Sequence, residues 1–148
     1  MPVHLLDVNV FLAASIEAHL HQPTARDWVD SVEPPNSIAF CRVVELAFLR
    51  LLTQPITDGF APLGNRDAAA LYLAWREDER VELLAEPPAL AELWPHLALR
   101  EAGSPKLWTD AYLAAFAIAG GCRLVTFDRA FRQFVGAGLD LVLLAPAT

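Results

Sequence analysis

The sequence predicts an α/β fold with a central, mostly parallel five-stranded sheet that helices cover on both faces. Five short runs of strand-like composition alternate along the chain with helical patterns, which is what βαβ crossovers require. Two proline pairs, Pro34-Pro35 and Pro87-Pro88, mark boundaries between elements rather than between domains. The predicted strands are Val3–Leu6, Ser37–Phe40, Val81–Leu84, Arg123–Phe127 and Leu139–Leu144.

Three segments between these strands have the composition and spacing of helices. Apolar side chains recur at helical intervals in residues 23–33, where Pro23 suits the first turn. They do so again in residues 65–79, where Asn65 is a good N-cap. Residues 106–119 are rich in alanine and apolar throughout, which predicts a helix buried on most of its sides.

The bulk composition indicates one domain over residues 1–148 with more apolar surface than a core needs. Of the 148 residues, 55% are hydrophobic, and the mean hydropathy is +0.34. The longest apolar run, from Ala111 to Cys122, is shorter than the ~20 residues that span a bilayer. We therefore expect no membrane association, and we expect the extra apolar surface to contact a protein partner or a second copy in a homodimer.

Charge and cysteine content restrict the setting further. A net charge of −7 argues against a broadly basic nucleic-acid-binding surface. It does not exclude nucleic acid, because bound cations and a local arginine cluster can neutralise phosphates. Cys41 and Cys122 lie far apart in apolar segments and suit buried free thiols, which predicts a reducing, cytoplasmic location.

Four isolated acidic residues stand in otherwise apolar or strand-like segments: Asp7, Glu45, Asp110 and Asp128. Asp7 follows the first predicted strand and Asp128 follows the fourth. In open α/β sheets, ligands bind beyond the carboxyl ends of the strands, at the point where the strand order reverses. If the first and fourth strands are neighbours, these aspartates meet there, and Glu45 and Asp110 reach the same end from the starts of their helices.

A cluster of carboxylates without histidine or cysteine neighbours suits Mg²⁺ or Mn²⁺ rather than zinc. One or two such ions can activate water for phosphodiester hydrolysis, and without metal at least one carboxyl pKa should rise. Each acid also has a structural explanation. Asp7 could end a strand, Asp110 could favour a helix dipole, and Asp128 could cap a helix. Their coincidence at one end of one sheet favours a shared site.

The segments that carry these acids resemble the PIN-domain ribonucleases, most closely the VapC toxins of prokaryotic toxin–antitoxin pairs. LLDVNVFLA is similar to the family's first strand, SIAFCRVVELAFLRLLTQP to its second strand and following helix, and LWTDAYLAAFAIAGGCRLVTFDRAF to its C-terminal half-motif. The resemblance implies a PIN-like three-layer α/β/α fold. It also implies that Asp7, Glu45, Asp110 and Asp128 bind Mg²⁺, for which Mn²⁺ can substitute, and are catalytic.

The same resemblance implies a metal-dependent endoribonuclease, with RNA as its substrate and an antitoxin protein as its inhibitor. The products would carry a 5′-phosphate and a 3′-hydroxyl. Two alternatives stay open. One is a PIN-like ribonuclease that processes RNA without an antitoxin, and the other is a non-catalytic acidic interaction module whose carboxylates only cap helices.

Asn9 and Thr126 match accessory positions of the family. Asn9 would support the site or cap a helix starting at Val10. Thr126 would hydrogen-bond a ligating carboxylate or serve as an ordinary β-branched strand residue. The cations beside the acids would contact phosphate or be solvated charges at helix ends; they are Arg42, Lys106, Arg129 and Arg132.

Two other features have weaker functional interpretations. His19 and His21 have a spacing that would hold a stray transition metal, but no serine or cysteine partner accompanies them. Of the four tryptophans, Trp108 is the one placed to stack on a base, because it lies two residues before Asp110.

Overall fold

A computed structural model of the chain describes residues 2–55, 60–100 and 103–145. Strands and helices alternate through these residues, with pairs of helices in the longer crossovers. In chain order the elements are β1 (Val3–Leu6), α1 (Val8–Ser15), α2 (Gln22–Ser31), β2 (Ser37–Cys41), α3 (Arg42–Thr53), α4 (Asn65–Glu77), β3 (Val81–Leu84), α5 (Leu90–Ala98), α6 (Leu107–Gly120), β4 (Arg123–Thr126), a 3-10 helix (Arg129–Ala137) and β5 (Asp140–Leu143).

The strands form one five-stranded sheet in the order β3-β2-β1-β4-β5, and every neighbouring pair is parallel. β1 is central, with Leu5 beside Ala39 of β2 on one side and beside Leu124 of β4 on the other. The chain therefore moves outward from β1 to β3 and then returns across β1 to form β4. This reversal confirms that the first and fourth strands are neighbours.

Helices cover the sheet in two groups. Helix α1 contacts α2 and α3, and α3 contacts α4, whereas α6 contacts α5 and the 3-10 helix. Because parallel crossovers are right-handed, connections that run in opposite directions along the sheet lie on opposite faces. The result is a three-layer α/β/α arrangement, which confirms the predicted fold class.

The core lies on both faces of β1 and its neighbours. The rings of Phe11 and Phe40 stack with their centroids 3.7 Å apart, and Phe48 packs against both. On the other face, every residue of α6 from Asp110 to Ala117 is buried, as its apolar composition predicts. Gly121 ends α6 with φ of +66°, a left-handed conformation that glycine adopts without a Cβ clash.

Most element bounds differ by one or two residues from the sequence-based expectations, and three differences bear on the local structure. The N-cap of α4 is Gly64, and Asn65 is the first helical residue without a capping side-chain bond. Helix α5 was not predicted, since Pro95 interrupts the helical pattern of its residues. β4 ends at Thr126 and not at Phe127, so Phe127 lies in the turn before Asp128. No helix in the described ranges is long and apolar enough to cross a membrane.

Candidate active site

The chain leaves β1 through Asp7, whose side chain is fixed by two elements. Asp7 is the N-cap of α1, and the Val8 backbone N–H donates to its Oδ1 at 2.7 Å. The Thr126 hydroxyl, at the end of β4, donates to its Oδ2 at 2.8 Å. The Asp7 residue is 8% exposed. The buried carboxylate is therefore held where β1 and β4 end side by side.

The Thr126 hydroxyl is a junction between three parts of the site. Besides donating to Asp7, it accepts a bond from the backbone N–H of Asp128 at 3.0 Å and from Nδ2 of Asn9 at 3.3 Å. Thr126 is fully buried. The position of Asp7 is therefore coupled to the turn that begins with Asp128.

Asn9 lies inside α1 rather than at its start. Its Nδ2 donates to Thr126 and its Oδ1 accepts the backbone N–H of Phe127 at 3.4 Å. Because α1 begins at Val8 with Asp7 as its cap, the alternative that Asn9 caps a helix starting at the next residue is wrong. Asn9 instead ties α1 to the end of β4.

Asp110 and Asp128 meet around one ammonium group. Lys106 is the chain's single lysine. Its Nζ donates to Oδ2 of Asp128 and lies 3.6 Å from Oδ2 of Asp110. Asp128 also caps the 3-10 helix, because its Oδ1 accepts the Ala130 N–H at 2.9 Å. Asp110 is buried in the first turn of α6. The two acids therefore share a cation that the chain itself supplies.

Glu45 reaches the same end of the sheet but has other partners. It lies in the first turn of α3, directly after β2. Its carboxylate accepts bonds from the Tyr72 hydroxyl and from Arg42. The Tyr72 hydroxyl in turn accepts a bond from Arg76 at 3.0 Å. The structure thus brings Asp7, Asp110 and Asp128 together and holds the Glu45 carboxylate with groups from α3 and α4.

Two of the carboxyl groups have raised pKa values, and burial is the main cause in both. Burial raises the pKa of Asp7 to about 6, against the opposing hydrogen bonds from Thr126 and Val8, and the charge of Asp110 adds to the increase. Burial also raises the pKa of Asp110, and the charge of Asp128 contributes, although Lys106 opposes both.

The other two acids keep lowered pKa values because cations or hydroxyls donate to them. Burial acts to raise the pKa of Asp128, but the bonds from Lys106 and Ala130 outweigh it. Burial likewise acts to raise the pKa of Glu45, and the bonds from Tyr72 and Arg42 lower it below its usual value. Neighbouring donors therefore stabilise the charged forms of Asp128 and Glu45, whereas burial disfavours the charged form of Asp7.

The donor set fits a hard divalent cation in its chemistry, since it offers carboxylate oxygens beside a position already taken by an ammonium group. Within the described ranges, no three His, Cys, Asp or Glu side chains are grouped so that they could hold a metal ion as they stand. Lys106 contacts Asp110 and Asp128, and Arg42 and Tyr72 contact Glu45. A metal would have to replace the Lys106 ammonium.

The remaining predicted site residues lie around this cluster. Arg42 and Lys106 are already paired with acids, while Arg129 and Arg132 are exposed on the 3-10 helix. Trp108 is 54% exposed in the first turn of α6, with its ring edge-to-face against Trp94.

Tyr72 was missed as a functional candidate. In the sequence it is one of several apolar positions on a helix face, 27 residues from Glu45. The sequence signal that could have identified Tyr72 is its hydroxyl group on an otherwise apolar helix face.

Comparisons with known proteins identify the family of this chain. The profile of the PIN domain matches residues 4–136. The chain is 44% identical to "Ribonuclease VapC41" of Mycobacterium tuberculosis over 145 residues, which covers 95% of this chain and 98% of that protein. It is 32% identical to "Ribonuclease VapC38" of the same organism, with 84% of each chain covered.

Solved structures show the same fold at low sequence identity. The toxin–antitoxin complex VapBC2 of Rickettsia felis, bound to a promoter DNA fragment, matches with a TM-score of 0.68 at 17% identity over 97% of this chain and 99% of that chain. VapC20 of Mycobacterium tuberculosis, described as a sarcin–ricin loop cleaving toxin, matches with a TM-score of 0.65 at 18% identity over 92% and 95%.

The three-layer fold, the acidic edge of the sheet and the domain match define the class: this is a PIN-domain protein. Within that family the chain belongs with the VapC ribonucleases, since it is 44% identical to one of them over 95% of its length. Ribonucleases of this family generally depend on divalent metal ions.

Proposed function

We propose that the chain is a metal-dependent endoribonuclease that hydrolyses RNA phosphodiester bonds as the toxin of a toxin–antitoxin pair. The observation that carries the proposal is the convergence of Asp7, Asp110 and Asp128 at the strand-order reversal, with Lys106 as their present counter-ion. Family membership supplies the reaction class, since the relatives are named ribonucleases.

The proposed cofactor is Mg²⁺, for which Mn²⁺ would substitute, held by Asp7, Asp110 and Asp128. Glu45 is assigned to the same set on the family resemblance. A bound divalent ion supplies an activated water and stabilises the charge that develops on the phosphate oxygens. Thr126 orients Asp7 through the 2.8 Å bond to its Oδ2, and Asn9 steadies Thr126. Their roles are to keep the carboxylates aimed at one point.

Candidate phosphate contacts are Arg42, Lys106 and Arg129. Displaced from Asp110 and Asp128, the Lys106 ammonium would stay beside the reaction centre and attract a phosphate oxygen. Arg129 follows Asp128 directly and is exposed. The proposed products are a 5′-phosphate and a 3′-hydroxyl.

The proposed partners are an antitoxin protein and a second copy of the chain, in the cytoplasm. Several large apolar side chains are more than half exposed, which supports burial against protein: Leu20, Leu46, Leu73, Leu99 and Trp108. The solved complexes of VapBC2 and of VapBC-1 from Haemophilus influenzae contain a toxin with its antitoxin. An arginine or lysine of the antitoxin would pair with Asp7, Asp110 or Asp128 and exclude the metal.

The test is cleavage of total bacterial RNA by the purified chain in Mg²⁺, in Mn²⁺ and in EDTA. We expect cleavage with either metal and none in EDTA. Asp7→Asn and Asp110→Asn should each reduce the rate at least 100-fold, while Asp27→Asn, an exposed acid of α2, cleaves like the wild type.

Two results would redirect the proposal. If Asp7→Asn cleaved RNA as fast as the wild type, Asp7 would not belong to the site. If the wild type failed to cleave in any metal and bound Mn²⁺ no better than Asp7→Asn, the non-catalytic acidic module would be the correct interpretation.

A further inference from the structure

A cleft lies directly beside the acidic cluster. It has a volume of about 410 Å³ and runs between α1, the segment before α2 and the C-terminal half of α3. We call it the His21–Phe127 cleft, and its lining includes Leu12, Leu20, Leu51, His21 and Phe127. Its volume falls within the roughly 300–1,000 Å³ typical of small-molecule sites.

The chain connects the cleft to the candidate active site at two places. Val8 and Asn9 line the cleft and directly follow Asp7. Phe127 lines it and directly precedes Asp128, and its backbone N–H donates to Asn9. A ligand bound in the cleft would therefore lie next to the phosphodiester on which the carboxylates are proposed to act.

The lining has the chemistry of a base-stacking site. The rings of His21 and Phe127 stack with their centroids 5.1 Å apart and their planes 25° apart. Leucine side chains supply apolar contact, and Leu20 is 72% exposed. None of the described residues that line the cleft carries a carboxylate.

We propose that the His21–Phe127 cleft binds one nucleobase of single-stranded RNA, adjacent to the scissile phosphate. The base stacks on the aromatic pair formed by Phe127 and His21, as unpaired bases do on aromatic side chains. The cleft thereby contributes to the choice of cleavage site. This inference rests on the proposed ribonuclease function.

The test combines base deletion in the RNA with substitution in the cleft. The probe is a 5′-fluorescein RNA decamer containing a sequence that the wild type cleaves in Mg²⁺, together with ten versions that each lack one base. Binding is measured by fluorescence anisotropy in EDTA, where no cleavage occurs. We expect one abasic position next to the cleavage site to weaken wild-type binding about tenfold.

The same abasic change should weaken RNA binding by less than twofold in Phe127→Leu and in His21→Ala, because the stacking partner is already lost. His21→Ala accompanies Phe127→Leu because Phe127 is partly buried, and circular dichroism melting checks both variants. In Mg²⁺, both variants should raise KM about tenfold and cleave at additional sequences. Val135→Ala, a half-exposed apolar residue of the 3-10 helix, is the matched control and should behave as wild type.

Three results would overturn the base assignment. If removing the base weakened RNA binding equally in the wild type and in both variants, no base would contact the cleft. If the loss of affinity at the abasic position disappeared in Trp108→Leu but persisted in Phe127→Leu, the base would stack on Trp108 instead. Variants that handled RNA normally but escaped inhibition by the neighbouring gene's protein would make the cleft a protein-binding site. Failure of the wild type to cleave any RNA would instead reject the proposed function.

Discussion

The Asp7 carboxyl links the charge of the site to the stability of the metal-free protein. Its pKa of about 6 exceeds the ordinary value of 3.8, chiefly because the group is buried. Between these two pH values the folded protein holds a proton that the unfolded chain releases. The contribution of Asp7 to the free energy of unfolding therefore falls as pH rises from about 4 to 6, by roughly 3 kcal/mol.

Asp7→Asn should remove this part of the pH dependence. In EDTA, we expect the variant to melt up to several degrees above the wild type at pH 7.5 and to lose that advantage by pH 4. The Asn side chain retains an acceptor for the Val8 N–H, but its fit against the Thr126 hydroxyl reduces the gain. Thermal melts from pH 4 to 7.5 measure the difference, with Asp27→Asn as control. A constant difference across that range would contradict the assignment.

Lys106 would compete with a divalent ion bound at the proposed site. Its ammonium contacts Asp110 and Asp128, so a divalent ion must displace it before both carboxylates can bind. We expect Lys106→Met to bind Mn²⁺ several-fold more tightly by isothermal titration calorimetry and to melt lower in EDTA. Arg129→Met, next to Asp128 but exposed, should leave the affinity within twofold. Weaker Mn²⁺ binding by Lys106→Met would show that the lysine assists loading.

At the scale of elements, the Tyr72–Glu45 hydrogen bond fastens α4 to the start of α3. We expect Tyr72→Phe and Glu45→Ala each to lower the free energy of unfolding by about 1–2 kcal/mol in urea. Their double variant should lose less than the sum, because each single change already removes the Tyr72–Glu45 bond. Tyr112→Phe, in α6, should combine additively with Glu45→Ala. Additivity in the Tyr72 pair would mean that the bond contributes nothing to stability.

The elements were predictable where a whole segment has a uniform composition. They were less predictable where a single residue decides the boundary of an element. Alternation of apolar runs identified every strand to within one or two residues, and the alanine-rich pattern identified α6 as buried. Asn65 illustrates the limit, because a residue that favours the cap position also tolerates the first helical turn. The partners of Glu45 were not predictable, since Tyr72 meets it only after α3 and α4 pack.

At the scale of the whole molecule, the shared site depended on a condition that the sequence left open, namely that the first and fourth strands are neighbours. Asp7 and Asp128 are far apart in sequence, and their proximity depended on β1 and β4 being neighbours. The carboxyl ends of parallel strands lie at one edge of the sheet, so the strand order decides whether the two aspartates meet. The assignment of one domain over residues 1–148 stays a prediction, as do the metal-binding roles of the four acids.

The acidic edge of the sheet should also control association with an antitoxin. We expect the protein encoded beside this chain to co-purify with it and to inhibit RNA cleavage. Asp110→Asn should weaken that binding about tenfold at low salt and less at 0.5 M salt, because screening reduces the lost ion pair. Asp27→Asn is the control. Tight binding without inhibition would reject the inhibitory role, and the absence of any such partner would favour an RNA-processing enzyme.

The central place of β1 matters for how the protein is made on the ribosome. The strand emerges first, yet one of its two neighbours, β4, emerges more than a hundred residues later. A nascent chain that has reached β3 carries Asp7 and Glu45 but neither Asp110 nor Asp128. The acidic cluster is therefore completed only after α6 and β4 have been made, and products terminated before Asp110 would be unable to assemble it.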